Sequence, residues 1–250
     1  ADEIRRALEC GIGWFNVESG QELELIERIA TGLNLRANVA IRVNPDVDAH
    51  THEHTTTGKA QNKFGVDFAC ARRLFATHHD SKHLRIRGIH VHIGSPVNRI
   101  EPLVEAVTKA VGFIESLRGD GFIIDTLNIG GGFGAYYEGS EAPSAARYAE
   151  AIIPVLRGRA LRLILEPGRS IAGNAGILIG KVLYIKPGLD RAFVIIDAAM
   201  TELLRPALYG AYHFAWPVRP ANGLVPPYRS RDLKLDGTQL MDVVGPVCES

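Results

Sequence analysis

The first 170 residues of the chain alternate short apolar runs with amphipathic helical patterns, and no other feature limits the possible folds as strongly. Five apolar runs predict β-strands, at residues 14–17, 39–43, 86–91, 126–129 and 162–165. The clearest helix follows the third run, where apolar residues at spacings of four, four, three and three share one face: Leu103, Val107, Val111, Ile114 and Leu117. Such alternation is typical of a parallel sheet whose strands are joined by helical crossovers.

The pattern changes after Gly173. Strand-like runs at residues 177–185, 192–197 and 242–247 are separated by proline and glycine breakers, and no long helical pattern follows. The five strand–helix units fall short of an eight-stranded barrel, which needs about 250 residues. An open dinucleotide-binding sheet is disfavoured because the first unit lacks the G-x-G-x-x-G turn. We therefore predict an α/β plus β protein, with a partial (β/α)8 TIM-type barrel over residues 1–174 followed by part of a mainly β domain over residues 175–250.

The composition argues against several kinds of partner. The chain carries 28 basic and 28 acidic residues, and this balance disfavours nucleic acid or an anionic membrane as the main partner. No apolar stretch approaches the ~20 residues of a membrane span, and the charged amino end does not resemble a signal peptide. The widely spaced Cys10, Cys70 and Cys248 form no disulfide framework, which suits a reducing compartment. We therefore expect a cytoplasmic protein.

Three of the predicted strands end in motifs that suit ligand binding. These motifs are His92-Ile93-Gly94-Ser95 after the third strand, the glycines Gly130, Gly131 and Gly132 after the fourth, and Glu166-Pro167-Gly168-Arg169 after the fifth. Parallel α/β sheets bind their ligands at the carboxyl ends of the strands. An aromatic ring face, an amide-rich turn, and a carboxylate beside a guanidinium together suit a planar, phosphorylated heterocycle with a basic ring nitrogen.

Each motif also has an ordinary structural explanation. Glu166 alone would usually be a capping or salt-bridging acid, but here its carboxylate could keep a pyridine nitrogen protonated, as catalysis by pyridoxal phosphate requires. The glycines could form only a tight turn, or their N–H groups could approach a phosphate that Ser95 and Arg169 also bind. His92 alone would more often be a structural histidine; in this setting its ring could stack on the heterocycle.

Three further groups have simple readings when they are taken alone. His50, His52 and His54 lie in a predicted loop with no nearby cysteine or acid pattern that would complete a zinc site, so we expect no metal. Arg205 and Tyr209 could be a surface pair at helical spacing. Cys248 alone would most often be a small buried residue, although it stands beside the charged Glu249.

Taken together, these motifs resemble those of the diaminopimelate decarboxylases, which belong to the pyridoxal-phosphate enzymes with an alanine-racemase-type barrel. The resemblance runs nearly from end to end and is specific because many motifs occur in order. They are Asn16-Val17-Glu18-Ser19, Arg42-Val43-Asn44-Pro45-Asp46-Val47-Asp48-Ala49, Thr57-Gly58, Lys63-Phe64-Gly65, Gly88-Ile89-His90-Val91 with the His92 motif, the glycine turn, the Glu166 motif, Asp197-Ala198-Ala199-Met200, Arg205-Pro206-Ala207-Leu208-Tyr209 and Gly245-Pro246-Val247-Cys248-Glu249-Ser250.

The resemblance implies a role for each site residue. In the cofactor site, His92 would stack on the pyridoxal phosphate ring, Glu166 would pair with its nitrogen, and the phosphate would be held by Ser95, Gly130, Gly131 and Gly132, with Gly168 and Arg169 nearby. Arg169, Arg205, Tyr209 and Glu249 would contact the substrate. Cys248 would be a catalytic proton donor, acting with Glu249 in the active site of a partner subunit, so that a homodimer is implied.

The implied reaction is the pyridoxal-phosphate-dependent decarboxylation of meso-2,6-diaminopimelate to L-lysine and CO₂. A decarboxylase for ornithine, arginine or lysine on the same scaffold, or an inactive pyridoxal-phosphate-binding regulatory homologue, remains an alternative. Pro96 stands where the family usually has glutamine or glycine. None of the lysines occupies the motif of the Schiff-base lysine, so we expect a fragment that is inactive alone; they are Lys59, Lys63, Lys82, Lys109, Lys181, Lys186 and Lys234.

Overall fold

The computed structural model describes residues 1–48, 63–139, 142–220 and 223–248. The chain divides into two compact units. The first comprises Ala1–Gly134 and Pro143–Ile171, and the second comprises Ala135–Ala142 and Ala172–Ser250. The predicted domain limits, 1–174 and 175–250, stay a prediction. Within the described residues, no helix is both long enough and apolar enough to cross a membrane.

The first unit alternates helices and strands. Its helices are α1 (Asp2–Glu9), α2 (Gly20–Leu33), α3 (Phe68–Thr77), α4 (Glu101–Gly119), α5 (Ala145–Leu156) and the short α6 (Arg169–Ala172), whose last residue belongs to the second unit. Its strands are β1 (Phe15–Val17), β2 (Ala37–Arg42), β3 (Leu84–His90), β4 (Thr126–Asn128) and β5 (Arg162–Ile164). The five strands pair in the order β1-β2-β3-β4-β5, and every pairing is parallel. The prediction of a partial α/β barrel is confirmed.

Local side chains explain where three of these helices begin. Ser19 precedes α2 and its Oγ accepts the Glu22 N–H at 3.2 Å. Asp67 and Ser144 cap α3 and α5 in the same way, accepting the N–H groups of Cys70 at 2.7 Å and Arg147 at 3.4 Å. A capping side chain satisfies an N–H group that has no partner inside the helix, which is typically worth ~1 kcal/mol.

The core of the first unit lies between the sheet and its helices. The apolar face predicted for α4 is buried, because its five residues are each 3% exposed or less: Leu103, Val107, Val111, Ile114 and Leu117. Burying a side chain of this size contributes about 1.5–3 kcal/mol. Ile89 of β3 and Leu127 of β4 belong to the same cluster. This packing holds the strands in register and thereby fixes the positions of the segments that follow them.

The second unit contains a small mixed sheet. Its strands β6 (Val182–Lys186), β7 (Ala192–Ile196) and β8 (Met241–Val244) pair in that order, β6 with β7 antiparallel and β7 with β8 parallel. A short helix, α7, spans Arg205–Tyr209. The predicted mainly β part is therefore present, although pairing of β6 begins five residues later than the predicted start at residue 177.

Residues 136–138 are anchored within the second unit by arginines. Glu138 accepts two hydrogen bonds from the Arg231 guanidinium, both at 2.9 Å, and these bonds lower the pKa of the carboxyl. The Tyr136 hydroxyl accepts the Arg229 N–H at 3.0 Å. Tyr137, which lies between Tyr136 and Glu138 in the chain, faces a second guanidinium, that of Arg205.

Candidate functional site

The three strand-end motifs of the first unit lie side by side. The Glu166 N–H donates to the Gly130 carbonyl at 2.9 Å, which joins the end of β5 to the glycine turn. The Val97 N–H donates to the Gly132 carbonyl at 2.7 Å, which joins the turn to the segment that follows β3. The residues predicted to form one site from three strand ends are thus brought together by the parallel sheet.

The turn requires glycine because other backbones press against it. A Cβ on Gly131 would collide with the Glu166 carbonyl oxygen, and one on Gly132 would collide with the Gly94 carbonyl oxygen. Gly130 and Gly132 also have φ values of 66° and 85°, which side-chain-bearing residues rarely adopt. The turn therefore packs against its neighbours more closely than residues with a Cβ would permit.

The three glycine amides differ in what they bind. The Gly130 N–H donates to Asn128 Oδ1 at 2.8 Å, and the Gly131 N–H donates to His92 Nδ1 at 3.2 Å. Among the described residues, the Gly132 N–H makes no hydrogen bond. Within this turn, the Gly132 amide is thus the donor most available to an incoming anion.

The Glu166 carboxylate is held through one of its oxygens. Oε1 accepts hydrogen bonds from Asn128 Nδ2 at 2.6 Å and from Asn16 Nδ2 at 3.0 Å. No described residue donates a hydrogen bond to Oε2, and the side chain is 43% exposed. One oxygen is therefore fixed and the other is available to a cationic N–H donor, with which a carboxylate forms its stronger hydrogen bonds.

His90 lies beside this carboxylate as a neutral ring. Burial, and then the charges of Arg42 and His92, lower its pKa from 6.5 to about 3. The 3.8 Å between His90 Nε2 and Glu166 Oε1 is thus a contact and not an ion pair, because the ring carries no charge at neutral pH. Both ring nitrogens are buried without a hydrogen-bond partner among the described residues.

His92 is also held neutral. Burial lowers its pKa, the Arg42 charge lowers it further, and Glu166 and Glu18 partly oppose these effects. Arg42, itself paired with Glu18, donates to the His92 carbonyl at 3.2 Å. Because Nδ1 accepts the Gly131 N–H, the proton of the neutral ring lies on Nε2. A neutral imidazole can stack on a cationic ring without charge repulsion.

Arg169 and Ser95 form the second half of the site. Arg169 Nη2 donates to Ser95 Oγ at 2.6 Å, and no described carboxylate pairs with this guanidinium. Gly168 precedes it, and a Cβ there would meet no atom within 4 Å. The Gly132 turn packs against Gly94, the residue before Ser95. The site therefore combines the Arg169 cation, the Ser95 hydroxyl and the available Gly132 amide on adjoining segments. These groups suit a phosphate.

In the second unit, Arg205 and Tyr209 stand at the two ends of α7. The Arg205 guanidinium carbon lies 5.6 Å from the Tyr209 ring centroid and 5.1 Å from that of Tyr137. Arg205 Nε is buried and has no hydrogen-bond partner among the described residues. A buried N–H donor without an acceptor is costly, and a ligand carboxylate would satisfy it.

The remaining predicted residues are exposed or lie outside the residues that the structure describes. Cys248 is exposed with a free thiol, and Glu249 lies outside the described residues. His50, His52 and His54 also lie outside them, and the described part of the chain contains no group of three metal-binding side chains.

Sequence reasoning assigned no role to four residues that contact the predicted site residues: Asn16, Asn128, His90 and Tyr137. Asn16 and Asn128 lie in strands β1 and β4, close to the carboxyl ends where ligands bind. A polar residue near the end of an otherwise apolar strand was the signal that could have identified both.

The comparisons with known proteins agree with this geometry. The sequence model of the family described as "Pyridoxal-dependent decarboxylase, pyridoxal binding domain" matches residues 1–173. The diaminopimelate decarboxylase of Pseudomonas aeruginosa is 43% identical over 249 residues, which are 100% of this chain and 57% of the relative. That of Neisseria meningitidis serogroup A is 40% identical over 248 residues, 99% of this chain and 58% of the relative.

Solved structures give the same result. The diaminopimelate decarboxylase of Helicobacter pylori, complexed with L-lysine, is 40% identical, with a TM-score of 0.88 over 100% of this chain and 59% of that structure. The diaminopimelate decarboxylase of M. jannaschii in complex with L-lysine is 35% identical, with a TM-score of 0.82. The match covers 100% of this chain and 56% of that structure. The chain thus spans a little more than half the length of the relatives that it matches.

Proposed function

The chain belongs to the family of pyridoxal-dependent decarboxylases, and on that premise we propose that its protein converts meso-2,6-diaminopimelate to L-lysine and CO₂, the last step of lysine biosynthesis. The observation that carries the proposal is the Glu166 carboxylate, fixed through Oε1 and open at Oε2, in the same cluster as the glycine turn and the Arg169–Ser95 pair. This arrangement suits a heterocycle with a cationic nitrogen and a phosphate.

The described residues fit pyridoxal 5′-phosphate, which supplies an electron sink for the breaking carbon–carboxylate bond when it is bound. Glu166 would keep the ring nitrogen protonated, since an opposite charge nearby favours the charged form. His92 would pack on the ring as a neutral imidazole. Ser95, Arg169 and the glycine turn would hold the phosphate, with the Gly132 N–H as its main backbone donor and Gly168 leaving room beside it.

Arg205 supports diaminopimelate as the substrate. Its Nε lacks an acceptor, and its guanidinium is flanked by the rings of Tyr137 and Tyr209. Ornithine, arginine and lysine carry no carboxylate at the far end, whereas diaminopimelate does. A guanidinium recognises such a carboxylate with two parallel hydrogen bonds and would orient the substrate for reaction at its other end.

The dimer belongs to the same proposal. Cys248 would donate a proton in the active site of the partner subunit, and Glu249 would bind the substrate there. The exposed, free thiol of Cys248 is compatible with such a role. A cytoplasmic location also stays a prediction; the free thiols of Cys10, Cys70 and Cys248 are compatible with it.

The decisive experiment measures CO₂ release by the full-length gene product from meso-diaminopimelate, ornithine, arginine and lysine. Of these four amino acids, we expect only meso-diaminopimelate to be turned over. Turnover of one of the other amino acids would replace the proposed substrate. Binding of pyridoxal phosphate without any turnover would identify a regulatory homologue and overturn the proposed activity.

A further inference from the structure

Asn128 connects the two halves of the candidate site. Its side chain is buried, and the whole residue is 1% exposed. Nδ2 donates to Glu166 Oε1 at 2.6 Å, while Oδ1 accepts the Gly130 N–H at 2.8 Å. These two bonds define the orientation of the amide, because exchanging its oxygen and nitrogen would place donor against donor and acceptor against acceptor.

The bonds of Asn128 close a ring of hydrogen bonds. The Glu166 N–H donates to the Gly130 carbonyl, the Gly130 N–H donates to Asn128, and Asn128 donates to the Glu166 carboxylate. A shift of the glycine turn therefore moves the acid, and a shift of the acid moves the turn.

Asn16 provides a natural comparison. It donates to the same Glu166 oxygen at 3.0 Å and accepts from Asn128 Nδ2 at 3.3 Å. Among the described residues, however, it makes no hydrogen bond to the glycine turn. Asn16 can hold the acid, whereas Asn128 can hold the acid and the turn together.

We propose that Asn128 is a positioning residue with a coupling role, in which one amide holds both the acid that binds the cofactor ring and the turn that binds the cofactor phosphate. The inference rests on the proposed function, because it assigns the ring to Glu166 and the phosphate to the glycine turn. With Oε1 occupied by two amide donors, Oε2 is the oxygen left for a cationic N–H donor. The amide would thus leave Oε2 for a cationic ring nitrogen, while it keeps the turn in shape for the phosphate.

The test uses two ligands that lack the aldehyde and so report non-covalent fit alone: pyridoxine 5′-phosphate and pyridoxine. Dissociation constants are measured by calorimetry, or by competition, for the full-length gene product and for the Asn128→Ala and Asn16→Ala variants. The readout is the dissociation constant of pyridoxine divided by that of pyridoxine 5′-phosphate. This ratio measures how much the phosphate strengthens binding.

We expect Asn16→Ala to weaken both ligands by the same factor and to leave the ratio unchanged. Asn128→Ala should reduce the ratio by about tenfold, because the turn also loses its buried hydrogen bond. An unchanged ratio in Asn128→Ala, or an equal reduction in both variants, would overturn the coupling role.

The Asn128→Asp variant protects the test against a failure of Asn128→Ala to fold. Aspartate keeps the volume and the acceptor for the Gly130 N–H, but it replaces the donor to Glu166 with a second carboxyl group. The ratio should stay within about twofold of the wild-type value. Ring affinity should become pH-dependent, because two adjacent carboxyl groups share a proton. A ratio that collapses in Asn128→Asp would contradict the assignment.

The two proposals fail in different ways. A wild-type protein that binds no pyridoxine 5′-phosphate would refute the proposed cofactor site and the coupling together. A wild-type protein that binds it, with variants that behave alike, would refute only the coupling.

Discussion

Arg169 reaches from the end of β5 to donate a hydrogen bond to Ser95 Oγ, which follows β3, at 2.6 Å. The bond spans two strand ends with the glycine turn between them, because β4 is the strand that separates β3 from β5 in the sheet. Since no described carboxylate neutralises Arg169, its charge is available to a ligand.

Replacing Arg169 should therefore affect the phosphate and not the ring. In Arg169→Ala, we expect the affinity for pyridoxine 5′-phosphate to fall by about 10- to 100-fold, with little change for pyridoxine, because a charge-assisted hydrogen bond is lost. Calorimetry on both ligands checks this. Arg28→Ala, at an exposed position on α2, is the matched control. A similar loss for pyridoxine would place Arg169 elsewhere in the site.

Glu166→Gln should separate the charge of the acid from its shape. Glutamine can still accept from Asn128 and Asn16 through its oxygen, but it cannot hold a proton on a ring nitrogen. We expect kcat/KM for meso-diaminopimelate to fall by about 100-fold or more. Glu150→Gln, at an exposed position on α5, should be unaffected. Full activity of Glu166→Gln would contradict the pairing with a ring nitrogen.

His90 should make stability depend on pH. Its folded-state pKa of about 3 lies below the ordinary value of 6.5, so the unfolded chain binds a proton across that range and the folded chain does not. Stability should therefore be fully present above this window and fall as the pH decreases through it, by at most about 1.4 kcal/mol per pH unit for this residue. Lowering of the His92 pKa acts in the same direction.

The measurement is urea unfolding between neutral and mildly acidic pH. His90→Leu should reduce the slope of the unfolding free energy against pH by about 1.4 kcal/mol per pH unit, which corresponds to one bound proton. His79→Leu, at an exposed position after α3, is the matched control for the loss of a histidine. An equal slope in wild type and His90→Leu would show that burial and the nearby charges do not lower the pKa of His90.

Tyr137 should influence recognition of the far end of the substrate through Arg205. Tyr137→Leu removes a ring 5.1 Å from the guanidinium, and we expect the KM for meso-diaminopimelate to rise by about two- to fivefold. Tyr137→Phe keeps the ring and should restore the wild-type KM. Steady-state kinetics of both variants decide, and equal effects of the two would assign the role to the hydroxyl.

Mixed dimers test whether the site is shared. Cys248→Ala and Glu166→Gln should each inactivate the enzyme when expressed alone. Co-expression in equal amounts should recover about a quarter of the wild-type activity, because half of the dimers are mixed and each of these has one intact site. No recovery in purified mixed dimers would place Cys248 in the site of its own subunit or outside any site.

Periodicity and strand-end position predicted most of this architecture. The apolar spacing over α4 identified the buried face, because a helix packed on a sheet must bury one stripe. The motifs at residues 92–95, 130–132 and 166–169 could be grouped because parallel strands end at one edge of a sheet. The predicted strand at residues 177–185 began too early, since an apolar pattern does not reveal where a neighbouring strand starts to pair.

The hydrogen-bond network could not be predicted in the same way. Asn16 and Asn128 meet although 112 residues separate them in the chain and β2 and β3 lie between their strands, so the sheet must curve to bring them together. The neutral state of His90 likewise depends on burial and on the nearby Arg42 charge. These hydrogen bonds and pKa shifts depend on distances between residues in the folded chain, and local sequence patterns do not reveal those distances.

The hydrogen bonds that Gly130 and Gly131 donate within the protein have a consequence for the free energy of phosphate binding. Because Asn128 and His92 already hold these N–H groups, the turn is preorganised before any phosphate arrives. A flexible glycine loop would lose conformational entropy on binding, and this loss would weaken the observed affinity. Here folding has already ordered the loop, so a larger share of the phosphate contact energy can appear as affinity.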